Sequence, residues 1–127
     1  MNLIKALLLC FNIKMMREIG GNNFDVTESP DSKIFIVGID DTICKTVEDN
    51  YKNSEPIWEN IDFFNKLYDN GNKIHYWTSR GMKENKNYDK LTISQLKYWN
   101  VKYTTLNTNK PPCDYWISSK SINIKDI

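Results

Sequence analysis

The chain has 127 residues, 40% of them hydrophobic, which suits one domain with a real core. Its 17 basic and 16 acidic residues leave a formal charge of +1, so there is no global field for nucleic acid or an anionic membrane, and any phosphate recognition must be local. Cys10, Cys44 and Cys113 are odd in number and lack Cys-x-x-Cys spacing, which argues against a disulfide framework or zinc site and for a reducing, cytoplasmic setting.

Residues 1–32 read as an N-terminal helix and a linker, and residues 33–127 as the folded domain. Leu3, Leu7 and Phe11 recur at helical spacing. The apolar run 6–11 is too short, and too poor in small residues after it, for a good signal peptide. Gly20, Gly21, two Asn and Ser29-Pro30 mark the linker.

The run 33–39, Lys-Ile-Phe-Ile-Val-Gly-Ile, predicts a strand buried on both faces, ending at Asp40-Asp41-Thr42. The polar stretch 46–55 predicts a loop or flap over that strand end. A helix follows over 56–70, with Pro56 in its first turn, Ile57, Ile61, Phe64, Leu67 and Tyr68 at helical spacing, and Gly71 as a left-handed cap. A second strand at 73–77 ends in Thr78-Ser79-Arg80-Gly81. A second helix near 88–99 turns Leu91, Gln95, Leu96 and Trp99 inward. Short strands are expected at 103–106 and 114–117.

Strands alternating with helices predict an α/β, three-layer, Rossmann-like domain: a mainly parallel four-stranded sheet with helices on both faces. Ligands of such sheets bind at the carboxyl ends of the strands, where Asp40, Thr78, Lys110 and Ser118 fall.

Four segments in this order resemble the haloacid-dehalogenase (HAD) superfamily, especially its small, capless sugar-phosphate and capsule-biosynthesis phosphatases. Phe35-Ile-Val-Gly-Ile-Asp-Asp-Thr-Ile43 resembles the family's strand followed by Asp-x-Asp-x-Thr, and Tyr76-Trp-Thr-Ser-Arg-Gly81 its strand followed by Thr or Ser. Asn109-Lys-Pro111 is similar to Gly-Lys-Pro, and Asp114-Tyr-Trp-Ile-Ser-Ser-Lys120 to a last strand ending in Asp-Asp-Lys. The helix carrying Thr92, Gln95, Leu96 and Trp99 is also similar to that group.

The resemblance implies phosphate-monoester chemistry with an aspartate nucleophile, a second aspartate as general acid and base, and carboxylate-held magnesium. It places Asp40 at the acid–base position and at a metal position. Thr42, Thr78, Ser79, Arg80 and Lys110 become phosphate-binding candidates. Gly38 stands where the nucleophile belongs, and Ser118 and Ser119 where the metal-binding acids belong. A glycine cannot attack phosphorus, and neutral hydroxyls hold a hard divalent cation poorly.

Asp41 is one residue from Asp40 and so points to the other side of an extended chain, and His75, inside a strand, reads as a packing residue. These departures imply a pseudoenzyme keeping a phosphate-facing pocket for a small phosphorylated ligand or a protein partner, with no membrane role. The alternative is an active phosphomonoesterase on a sugar phosphate or nucleotide, using Mg2+ and a non-standard nucleophile. A polynucleotide end-phosphatase relative is a further alternative that the missing basic stripe disfavours.

Overall fold

The computed structural model describes residues 31–127, so the expected N-terminal helix and most of the linker lie outside the described residues. Strand β1, Ile34–Val37, draws on a β-branched apolar run. A small antiparallel hairpin, β2 (Cys44–Lys45) and β3 (Glu55–Pro56), brackets a short 3-10 turn at Tyr51–Asn53. The polar stretch expected to form a flap is this hairpin and its tip. Helix α1, Trp58–Asp69, follows, then β4 (Lys73–Trp77), α2 (Asp89–Tyr98) and β5 (Thr105–Asn107).

The strands β1, β4 and β5 form a three-stranded parallel sheet in the order β1-β4-β5. Ile34 pairs with Lys73 and Val37 with Tyr76, while His75 pairs with Thr105 and Trp77 with Asn107. This register brings the segments after β1, β4 and β5 to one end of the sheet, which is where the candidate residues were expected.

Alternation along the strands divides the sheet into two faces. On one, Val37, Ile74 and Tyr76 join Ile61, Phe63, Phe64 and Leu67 of α1 and Leu96 of α2 in a single core. Full burial of each such aliphatic or aromatic side chain stabilises the fold by about 1.5–3 kcal/mol. The Tyr76 hydroxyl is buried there without a hydrogen-bond partner among the described residues.

Both helices end in the same kind of cap. Gly71, at φ 90°, follows α1 and lets Asn72 N donate to Leu67 O. Asn100, at φ 55°, follows α2, and Val101 N donates to Leu96 O.

Three expectations are corrected. The segment 114–117 is not a strand: Tyr115 and Ile117 are 86% and 94% exposed. Pro111-Pro112 supplies no amide protons just before it, and no sheet edge receives it. Among the described residues the sheet therefore has three strands, not four. Both helices also lie on one face rather than on two, because consecutive crossovers of one hand, stepping across the sheet in one direction, deposit their helices on the same side. Consequently β1 is buried on one face only, with Ile34 67% and Ile36 64% exposed.

Candidate functional site

The loop after β1 is a tight turn. Thr42 N, Ile43 N and Cys44 N all converge on Ile39 O, and Asp41 N donates to Cys44 O. Asp41 sits at φ 57°, a left-handed conformation that aspartate tolerates better than most residues. Its exposed side chain faces the hairpin, accepting from Thr46 N at 3.4 Å, and so points away from the partners of Asp40. Asn60 Nδ2 donates to Thr42 O at 2.8 Å, fastening the start of α1 to this turn. At Gly38 a Cβ atom would stand 3.0 Å from Thr42 Oγ1. A Cβ there needs only a small shift of that hydroxyl, so the turn itself does not demand glycine.

Asp40 and Arg80 form the centre of the site. Arg80 Nε donates to Asp40 Oδ1 and Oδ2 at 3.2 and 3.0 Å, and Nη2 donates to Oδ1 at 2.8 Å. The Arg80 side chain is 1% exposed and that of Asp40 25%. The remaining guanidinium donors are committed as well. Nη1 reaches Gln95 Oε1 at 2.5 Å and Thr92 Oγ1 at 3.3 Å, and Nη2 reaches Ser54 Oγ at 3.5 Å. Thr46 Oγ1 donates to Asp40 Oδ1 at 2.6 Å, and Gln95 Nε2 donates to Tyr51 O at 2.6 Å. The Tyr51 ring lies 4.9 Å from the guanidinium carbon. One arginine thus joins the β1 loop, the hairpin and α2, and its planar fork suits the two-point carboxylate contact.

Thr78 is buried at the end of β4. Its hydroxyl accepts from Arg80 N at 3.1 Å, and its carbonyl accepts from Lys110 N at 3.1 Å. Lys110 is therefore anchored beside Thr78 by its backbone, while its ammonium lies 5.1 Å over the Trp116 ring. Ser118 and Ser119 are exposed, and the Ser118 hydroxyl accepts from Lys120 N at 3.2 Å. The loops thus gather Gly38, Asp40, Thr42, Thr78 and Arg80 into one site, whereas Ser118 and Ser119 form no bond to Asp40.

These residues do not fit magnesium. The Asp40 carboxylate is already matched to a guanidinium, and no group of three or more His, Cys, Asp or Glu side chains suited to a metal occurs among the described residues. A hollow of about 110 Å³ next to the pair is lined by Asp49, Tyr51, Ser79, Lys83, Glu84, Pro112 and Cys113. Two carboxylates against one ammonium make it a poor seat for an anion.

Burial, reinforced by the negative Asp40, pushes the Cys44 thiol up from 9.0 to about 11. Burial, together with Asp49, pushes the Tyr51 phenol up to about 12. The raised thiol value means that folding favours neutral Cys44: its contribution is complete below pH 9 and is lost as the pH rises toward 11. At pH 8 alkylation of Cys44 should be at least about a hundredfold slower than that of exposed Cys113, as peptide mapping by mass spectrometry would show. Comparable rates would mean that the loop opens readily.

Sequence reasoning placed Arg80 among the phosphate ligands and did not pair it with Asp40. It also passed over Thr46, Ser54 and Tyr51, polar or aromatic residues in a stretch without periodicity. A signal did exist for Gln95: a polar side chain on the inward face of a helix needs a buried partner.

No family model and no curated protein matches the chain. It is similar in structure to an MCSG target from Vibrio cholerae known by crystal structure, with a TM-score of 0.68 and 21% identity over 74% of this chain and 85% of that one. At this identity the likeness shows the α/β fold alone: the chain is an α/β protein with a parallel sheet and helices, in the Rossmann-like manner.

Proposed function

We propose that the chain is a catalytically silent member of the HAD superfamily, acting by recognition of a small phosphorylated ligand or a protein partner rather than by hydrolysis. The observation that carries this reading is the closed Asp40–Arg80 pair beside Gly38. A general acid must reach the leaving group, and both Asp40 oxygens are already turned to the buried Arg80 guanidinium, with Thr46 Oγ1 on one of them. The order of the sequence segments, and the position of the first three at one end of a parallel sheet, support membership. With Arg80 committed to Asp40 and Ser79 lining the acid-rich hollow, a phosphoryl group would be left to Thr42 and Lys110.

The test is an assay of purified protein with an aryl phosphate, sugar phosphates and nucleotides, with and without magnesium, beside Asp40→Asn. The expected result is no magnesium-dependent turnover in either protein. Turnover lost in Asp40→Asn would establish instead the active-enzyme alternative, with a nucleophile other than residue 38. Gly38→Asp alone should also stay inactive, because it restores a carboxylate without releasing Asp40 or supplying acids at Ser118 and Ser119.

A further inference from the structure

After β5 the chain forms a strap over residues 109–116, pinned at three points. Asn109 Oδ1 accepts from Trp77 Nε1 at 3.1 Å, Lys110 N donates to Thr78 O at 3.1 Å, and Trp116 packs edge-on to Trp77 with 5.6 Å between centroids. Between the second and third pins, Pro111 and Pro112 fix two successive φ angles, so the strap has a stiff course. The Lys110 ammonium consequently lies over the Trp116 ring, 5.1 Å from its centroid, while Trp116 is itself 51% exposed. Lys66 and Lys102 pair instead with the carboxylates of Asp62 and Asp69, and among the described residues no acid is paired with Lys110. A carboxylate neutralises a lysine, whereas an exposed aromatic face holds it weakly and leaves its charge uncompensated.

We propose that Trp116 is a positioning residue that parks the Lys110 ammonium on its ring until a phosphoryl anion draws it into the site. This role rests on the reading of Thr42 and Lys110 as the remaining phosphate groups, and it adds the residue that sets their affinity. The Lys110 backbone is already fixed beside Thr78 at the end of β4, so capture of an anion there needs only rotation of a flexible four-carbon stem. A phosphate dianion offers the ammonium charge-assisted hydrogen bonds, which are stronger than an exposed ring face. Binding must therefore break the cation–ring contact, and any change that weakens the contact should tighten binding. Trp77 needs only an apolar neighbour at position 116; the aromatic ring serves the lysine.

The test is an NMR titration of the full chain with inorganic phosphate, at an ionic strength held constant with chloride. Before phosphate is added, the ε-methylene protons of Lys110 should lie upfield of their position in Trp116→Leu, because the indole ring shields them. Phosphate should move them to the Trp116→Leu position as the amide signals of Thr42 and Thr78 shift. Trp116→Leu, which keeps an apolar contact for Trp77, should bind phosphate about two- to fivefold more tightly. Trp116→Phe, whose ring holds a cation less well, should fall between the two, and Lys110→Met should lose the titration. Lys110 protons unshifted at the start, or a titration that survives Lys110→Met, would overturn the proposal. If Thr42 and Thr78 respond while Lys110 stays over the ring, or if Trp116→Leu binds no more tightly, the parking role is overturned and the phosphate site stands. If neither the native chain nor Trp116→Leu responds to phosphate, the parking role falls together with the phosphorylated-ligand reading.

Discussion

Arg80→Met should lower the folding stability by about 3 kcal/mol, read as a fall in the urea midpoint at unchanged slope. The side chain of Arg80 is almost wholly buried, and its removal strands several groups at once. Asp40 loses three contacts, and Gln95 and Thr92 lose their guanidinium donor. Loss of one partner of a buried ion pair is costly because the other charge stays behind. Arg80→Lys should recover only part of the loss, since one ammonium cannot reach Asp40 at two points and Gln95 on the far side.

Asp40→Asn should cost a comparable amount, about 3 kcal/mol, because it leaves the buried Arg80 charge without its counter-ion and turns an amide NH2 toward guanidinium donors. Adding Asp40→Leu to Arg80→Met should be less damaging than the sum of the single changes, the mark of two residues that act as a unit. A neutral Arg80→Met would mean that the side chain is not held in this network in solution. Arg80 would then be available to an incoming anion, and the phosphate-ligand reading would gain what the structural pair had lost.

The elements that could be placed from sequence were those with an unambiguous period. Strand β4 was expected at 73–77 and occurs there, and α1 and α2 fall within two residues of their expected bounds. Their apolar spacing reports burial on one face, and the caps at Gly71 and Asn100 fix where they stop. The miscounted strand shows where periodicity fails. Four residues containing Tyr, Trp and Ile look like a strand wherever they occur, but a strand exists only if an edge receives its hydrogen bonds. Likewise, the apolar run of β1 predicts burial on both faces, because sequence says that Ile34 and Ile36 want cover without saying what supplies it.

In the site, the one-dimensional pattern located Gly38, Asp40, Thr42, Thr78 and Arg80 at the right end of the sheet. It could not show that Asp40 and Arg80, forty residues apart, close on each other. That contact depends on the parallel pairing of β1 with β4 and on Gln95 approaching from α2, both of them long-range consequences of the fold.

Gly81→Ala should be more damaging than Gly71→Ala, and the comparison isolates why. Both glycines have positive φ, 81° and 90°, so alanine meets a similar backbone penalty of about 1 kcal/mol at each. Beyond Gly71 a Cβ would meet nothing within 4 Å, so the backbone term should be the whole cost there. At Gly81 the Cβ would lie 2.0 Å from Lys86 O and 2.9 Å from Tyr88 Cδ2. Lys86 cannot simply withdraw, because its amide closes the loop by donating to Gly81 O at 3.0 Å. Tyr88 is held in turn by its edge-on contact with Tyr51, 5.0 Å between centroids.

The expected total for Gly81→Ala is therefore about 3 kcal/mol or more in chemical denaturation, some 2 kcal/mol beyond Gly71→Ala. If the two variants proved equally stable, the 81–86 loop would have to rearrange without cost to the core. Because Arg80 is the residue directly before it, the accompanying near-ultraviolet signal of Tyr51 and Tyr88 would report whether that rearrangement also opens the Asp40–Arg80 pair. A stable protein with an altered tyrosine signal would locate the freedom in the loop, and a destabilised one with a native signal would show that the loop and the ion pair fold as one unit.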